Sequence, residues 1–341
     1  MSVPARSAPR LEDVARVAGV SHQTVSRVVN GSARVAPATR ERVLEAVREL
    51  GYRRNSAARA LATQKSGVIG VVVAGLGFFG PSSTVVGLEL AARAEGYSMV
   101  LASLPEVTAD ATQAALDHLV GESVEAIVLI APVDTGLDLG AGSTLPVPIV
   151  VLDADPTRSR LSVGVDHEAG ARLATQHLVD LGHRRIDHLR GPLDWYQAHA
   201  RTVGWRSTLE AAGLPVPEPL VGDWTASSGF EMGRLLAADP EVTAIFVAND
   251  QMSIGVLRAL SEAGRRVPGD VSIVGFDDIP ESEYFSPPLT TVRQNFEALG
   301  RGAMGLLTDA IRGDRQAGTV TVPPKLVVRA STARPPAGAG G

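Results

Sequence analysis

The stretch Gly70–Leu90, GVVVAGLGFFGPSSTVVGLEL, runs from an apolar strand through a glycine-punctuated loop into a helical pattern. Its loop spells G-x-G-x-x-G through Gly75, Gly77 and Gly80, the spelling of a dinucleotide-binding turn. Such a turn needs its third glycine inside the helix and a carboxylate at the tip of the next strand for the ribose. Here Pro81 follows Gly80, and proline belongs at a helix start, so the helix is expected to begin too late. The next strand, Met99–Ala102, leads into Ser103, Leu104 and Pro105 with no carboxylate, and Phe78 and Phe79 stand where a pyrophosphate needs bare backbone. The strand–loop–helix unit survives this reading; the nucleotide does not, and no cofactor is expected.

The same alternation continues along the chain. Apolar strand-like runs lie at Val68–Val73, Met99–Ala102, Ala126–Ile130, Ile149–Leu152, Arg185–Leu189, Ala244–Ala248 and Val271–Phe276. Helical patterns lie between most of them, as at Glu168–Leu181, Val203–Ala212 and Met252–Ala263. Near-continuous apolar strands alternating with helices predict parallel sheets covered on both faces. More than 250 residues of this pattern is long for one sheet, so two α/β lobes are expected.

The chain has 341 residues, 45% hydrophobic and 20% charged, which fits a globular protein and argues against wholesale disorder. It contains no cysteine, which excludes disulfides, thiol catalysis and thiolate metal sites together. No apolar run approaches the roughly 18 residues that span a bilayer, and the N-terminus lacks the apolar core of a secretory signal. A cytoplasmic protein without membrane contact is expected. Charge is unevenly spread: residues 1–65 carry 12 Lys and Arg against 5 Asp and Glu, and the remainder carries 20 against 32. A basic head on an acidic body points to a polyanion-binding module fused to something else.

The head reads as three short helices. Leu11, Val14, Ala15 and Ala18 share one helical face that Gly19 terminates. Ser21 is a natural N-cap for a second helix burying Val25, Val28 and Val29. Pro37 opens a third, with Val43, Leu44, Val47 and Leu50 inward. The stretch 11–31, LEDVARVAGVSHQTVSRVVNG, has the anatomy of a helix-turn-helix whose second helix exposes His22, Gln23, Ser26, Arg27 and Asn30. Gln suits adenine and Arg guanine, while Thr24 and Ser26 can reach phosphates.

These residues, continued as DVARVAGVSHQTVSRVVNG through RRNSAARALA, resemble the headpiece of the lac/gal repressor (LacI/GalR) family. LVDLGHRRIDHLRGP, GDWTASSGF, VANDQMSIG, VSIVGFDD and PPLTTVRQNFEALG resemble successive segments of the family's core, so the likeness runs from Leu11 to Thr332. It implies an α/β fold: a two-lobed core of parallel sheets like that of the periplasmic binding proteins, with a small all-α helix-turn-helix domain. Residues 1–54 would be the headpiece, 55–66 a hinge helix and linker, 67–333 a sugar-binding and dimerisation core, and 334–341 a flexible tail. The family's specificity pair falls on His22 and Gln23, with His22 departing from an expected tyrosine. Asn55 would cap the hinge helix and Leu61 would be the wedge that unstacks a base step in the minor groove of a palindromic operator. A segment of that length does not hold a helix alone but can fold when DNA and a partner bury it.

Independently of the resemblance, Asp153, Asn249 and Asp277 stand at the C-terminal ends of expected strands, where open α/β sheets bind ligands. With Arg201 they suit vicinal hydroxyls, and Trp224 offers a flat face for a pyranose; each also reads as an ordinary cap, turn or core residue. The family's effector contacts carry over onto Asp153, Arg201, Trp224, Asn249, Asp277 and Phe296, with Phe78, Gly80, Pro81 and Thr84 as an apolar wall. A sugar-holding serine of the family falls on Gln197, beside Trp195 and Tyr196, so a galactoside or another, larger glycoside fits. The tail carries no heptads, and a homodimer is expected. The function implied is a DNA-binding repressor released by a small sugar, with no catalytic residue and no metal. The alternatives are a glycosidase using Asp153 and Asp277, in which the basic headpiece has no role, and a sugar-binding transport component, which should carry a secretory signal instead.

Overall fold

The structure, a computed structural model, describes residues 9–29, 34–52, 65–131, 145–153, 155, 159–314, 316 and 318–336. The chain divides into two compact units, Met1–Ser66 and Gly67–Gly341.

In the first unit, α1 (Leu11–Ala18), α2 (His22–Val29) and α3 (Pro37–Leu50) enclose Val14, Ala15, Ala18, Val25, Val28, Val43, Ala46 and Tyr52. Gly19, at φ 63°, takes the left-handed C-terminal position of α1, and Val20 N–H reaches back to Ala15 O. The apolar stripe of α3 is Val43, Ala46, Val47 and Leu50. Leu44 is 43% exposed, against expectation, because it lies about 100° around the helix from that stripe. Val29 is half-buried.

The second unit contains two six-stranded sheets. The first uses β1 (Val68–Ala74), β2 (Ser98–Leu104), β3 (Ala126–Ile130), β4 (Ile149–Leu152), β5 (Leu161–Val165) and β11 (Gly318–Val322) in the order β11-β5-β4-β3-β1-β2, every pair parallel. The second uses β6 (Asp187–Arg190), β7 (Leu220–Val221), β8 (Ala244–Val247), β9 (Ser272–Asp277), β10 (Thr290–Arg293) and β12 (Lys325–Val327) in the order β12-β10-β9-β8-β6-β7. Its pairs are parallel except β10 with β12. The first lobe's helices are α4 (Phe79–Ala94), α5 (Ala109–Gly121) and α10 (Phe296–Ile311); the second lobe's are α6 (His167–Asp180), α7 (Tyr196–Ala211), α8 (Ala226–Ala238) and α9 (Asp250–Glu262).

The chain therefore crosses between lobes three times, after β5, after β10 and after β11. Parallel strands place their C-terminal ends on one edge, and these edges face the cleft that the crossings bound.

The sequence expectation for α4 needs correction. The helix starts at Phe79, with Pro81 in its first turn, where a missing N–H costs nothing. Gly80 is therefore helical, but a Cβ on it would meet nothing within 4 Å, so it serves no close helix–strand packing.

Candidate functional site

Sixteen of the described residues line a cleft between the lobes, which holds about 520 Å³ of empty space, the open solvent at its mouth included. Of the expected contacts, Phe78, Gly80, Pro81, Thr84, Asp153, Gln197, Arg201, Trp224, Asn249 and Asp277 all line it. Phe296 does not. As the first residue of α10, its backbone is packed hard against α4, where a Cβ on Gly87 would sit 2.3 Å from Phe296 O. Its ring meets Phe79 edge-on at 5.7 Å and lines an outer hollow with Ser82, Val86 and Glu297. Phe79, Ile130, His167, Trp195, Gln251 and Gln294 also line the cavity and were not among the expected contacts.

Strand ends supply the carboxylates. Asp153 follows β4 in a left-handed conformation, φ 50°, and its Oδ1 accepts from Val165 N–H at 2.9 Å. Asp277 closes β9 at φ 112°, and its Oδ1 accepts from Gln294 Nε2 at 2.6 Å. Burial raises the Asp277 pKa to about 6, against the pull of Arg201 and Gln294. Behind it, Asp250 accepts from Ile279 N–H, Ser282 Oγ and Thr291 Oγ1. Burial and then the Asp277 charge push Asp250 up to about 7.

Arg201 is buried. Its Nη1 donates to Ala248 O, and its Nη2 lies 3.3 Å from His167 Nδ1 and 3.7 Å from Asp277 Oδ1. Its guanidinium sits over the Phe276 ring at 3.7 Å. Burial pulls its pKa down while Asp277, Asp153 and Asp250 oppose that. Burial likewise lowers His167, which is therefore the neutral imidazole. A guanidinium only donates, so His167 Nδ1 is the acceptor and its proton sits on Nε2. That Nε2 points to Asp153 Oδ1 at 3.4 Å without forming a hydrogen bond.

Asn249 caps α9, its Oδ1 accepting from Met252 N–H at 2.9 Å and its Nδ2 donating to Trp224 O at 3.1 Å. It holds Trp224, at φ 73°, against the cavity. Trp224, Trp195 and Phe78 form an aromatic wall, with ring centroids 5.4 Å apart for the tryptophans and 5.6 Å for Phe78 and Trp195. Gln197 Nε2 crosses the cleft to Asp153 O at 3.0 Å.

Seven buried side-chain polar atoms lack a partner among the described residues, and five belong to this cavity's lining: His167 Nε2, Gln197 Oε1, Arg201 Nε, Trp224 Nε1 and Gln251 Oε1. Native interiors rarely leave such groups unmet, so their convergence marks a place for a polar ligand.

In the first unit, Ser21 Oγ accepts from Thr24 N–H at 3.2 Å and contacts Thr24 Oγ1 at 2.9 Å, capping α2. His22, Gln23 and Arg27 are exposed on this helix, and Thr24 and Ser26 are half-buried. Asn30, Asn55 and Leu61 lie outside the described residues. Among the described residues no group of three or more His, Asp or Glu can hold a metal ion, and no helix is long and apolar enough to cross a membrane.

Residues 10–55 match the family described as bacterial regulatory proteins, lacI family, and residues 175–332 match a periplasmic binding protein-like domain. The lactose operon repressor of Escherichia coli (strain K12) is 38% identical over 328 residues, covering 95% of this chain and 91% of that protein. A crystal structure of the lac repressor dimer bound to operator and the anti-inducer ONPF superposes with a TM-score of 0.85 at 37% identity, covering 96% of this chain and all of that one. A transcriptional regulator CelR–cellobiose complex superposes with a TM-score of 0.70 at 35% identity, covering 95% and 99%.

Proposed function

The chain belongs to the lacI family of bacterial regulatory proteins, and from that premise we propose a transcriptional repressor whose operator affinity falls when a small glycoside fills the cavity between the lobes. It is a regulator and not an enzyme, as its relatives are. Residues 1–54 are the DNA-binding headpiece, 55–66 the hinge and 67–333 the effector-binding and dimerisation core, with 334–341 a tail.

Two protomers set their α2 helices in successive major grooves of a palindrome, using Ser21, His22, Gln23, Thr24, Ser26, Arg27 and Asn30. The hinge follows Asn55, and Leu61 wedges the central minor groove. The effector lies against Phe78, Gly80, Pro81 and Thr84 and bonds to Asp153, Gln197, Arg201 and Asp277, with Trp224 held by Asn249 beneath its ring. Effector binding favours a closed core in which the first lobes of the dimer shift and the hinges separate. The ligand shifts this equilibrium only by its differential affinity for the two states.

The observation that carries this reading is the convergence of five unpartnered polar atoms on one aromatic-walled cavity. The test is Arg201→Lys, which keeps the charge but loses the guanidinium fork. The variant is expected to bind operator like the parent while needing at least about tenfold more glycoside for release, a loss of about 1.4 kcal/mol. An unchanged glycoside response removes Arg201 from the site.

A further inference from the structure

On the footing that the cavity is the effector site, we propose that it takes an uncharged glycoside and rejects acidic sugars, both uronides and sugar phosphates.

Arg201 is the single cation among the described lining residues, and it faces two carboxylates, Asp153 and Asp277. Neutral His167 adds no positive charge. Acidic groups also surround this end of the cleft: after burial, the charges of Asp155, Asp153, Asp166 and Glu168 all disfavour the anion of the Tyr196 hydroxyl. An incoming anion meets net negative charge in a space where water screens poorly.

The guanidinium is also badly placed for an anion. Strong carboxylate or phosphate recognition uses two parallel N–H groups of one arginine. Here Nη1 and Nη2 each commit one of their two N–H groups, to Ala248 O and His167 Nδ1, and Nε alone has no partner.

The unmet atoms point the same way. Three are donors, His167 Nε2, Arg201 Nε and Trp224 Nε1; two are acceptors, Gln197 Oε1 and Gln251 Oε1. A carboxylate only accepts, so in place of a hydroxyl it offers nothing to either amide oxygen. A hydroxyl donates and accepts and can serve either kind. The wall of Phe78, Trp195 and Trp224 completes the match with the C–H face of a neutral pyranose.

Binding is measured by calorimetry on the full chain at pH 7.5. The neutral probes are methyl β-galactoside, methyl β-glucoside and cellobiose. Each methyl glycoside is paired with its near-isosteric uronide and the uncharged uronamide. The expected result is that a neutral glycoside binds, its uronide binds at least about tenfold more weakly, and the uronamide recovers the affinity. Asp277→Asn, which removes one of the two facing charges, should narrow the gap between glycoside and uronide. A uronide that binds as well as its parent overturns the proposal, as does a uronamide as weak as the uronide, since shape and not charge would then discriminate. If no probe of any class binds, the cavity is not a sugar site, and the proposal falls with that reading.

Discussion

Gln197 Nε2 donates to Asp153 O at 3.0 Å, tying α7 of the second lobe to the end of β4 in the first. The other end of the same amide, Oε1, is buried without a partner at the cavity wall. Gln197→Ala removes the interlobe bond and the cavity acceptor together. The core is expected to lose about 1 kcal/mol in urea unfolding and to bind glycoside more weakly. A variant unchanged in both would show that neither end of the amide contributes.

Gly191, in the loop after β6, sits under Trp224, where a Cβ would come within 2.2 Å of the indole. Neither the ring nor the backbone can yield without moving the aromatic wall. Gly191→Ala is expected to abolish glycoside-dependent change in tryptophan fluorescence while operator binding persists. A normal response would mean that Trp224 can shift without cost to the ligand.

Asp250 is buried on three hydrogen bonds, and burial together with Asp277 raises its pKa to about 7. An acid whose folded value exceeds its unfolded 3.8 holds an extra proton when folded, so its contribution to stability is largest at low pH. That contribution is lost as pH rises through about 7, with Asp277 acting likewise through about 6. Asp250→Asn removes the titration at the first site. The stability of the variant relative to the parent should rise between pH 4 and 7, read from urea unfolding at each pH. Two curves that run parallel over that window would contradict the shift.

Leu61 is the proposed wedge of the hinge. Leu61→Ala should weaken binding to a palindromic operator more than binding to random duplex, both measured at one fixed salt concentration. Equal losses on both DNAs would discard the wedge.

Much of the core was legible because β1, β3 and β4 are buried on both faces and read as unbroken apolar runs. The strands the sequence hid are short or polar. β10 carries Thr290 and Thr291, buried yet hydrogen-bonded, and β11 alternates threonine with valine at a sheet edge. The site followed the same division. Asp153 and Asp277 could be read as ligand candidates because they end recognisable strands. His167 and Gln294 follow β5 and β10, and with those strands unread nothing in the sequence singled them out. The lobe crossings bring them into the cavity, and crossings leave no local pattern. Phe296 lies off the cavity lining for a different reason: the close backbone contact of α4 with α10 at Gly87 and Gly300 sets where α10 begins.

The coupling between the two units is tested most directly by a reciprocal titration on the full chain. Operator affinity is measured with and without saturating glycoside, and glycoside affinity with and without saturating operator. The glycoside should weaken operator binding by a factor of about 5 to 150, and the operator should weaken glycoside binding by the same factor. A glycoside that binds the cavity and leaves operator affinity unchanged would contradict the coupling.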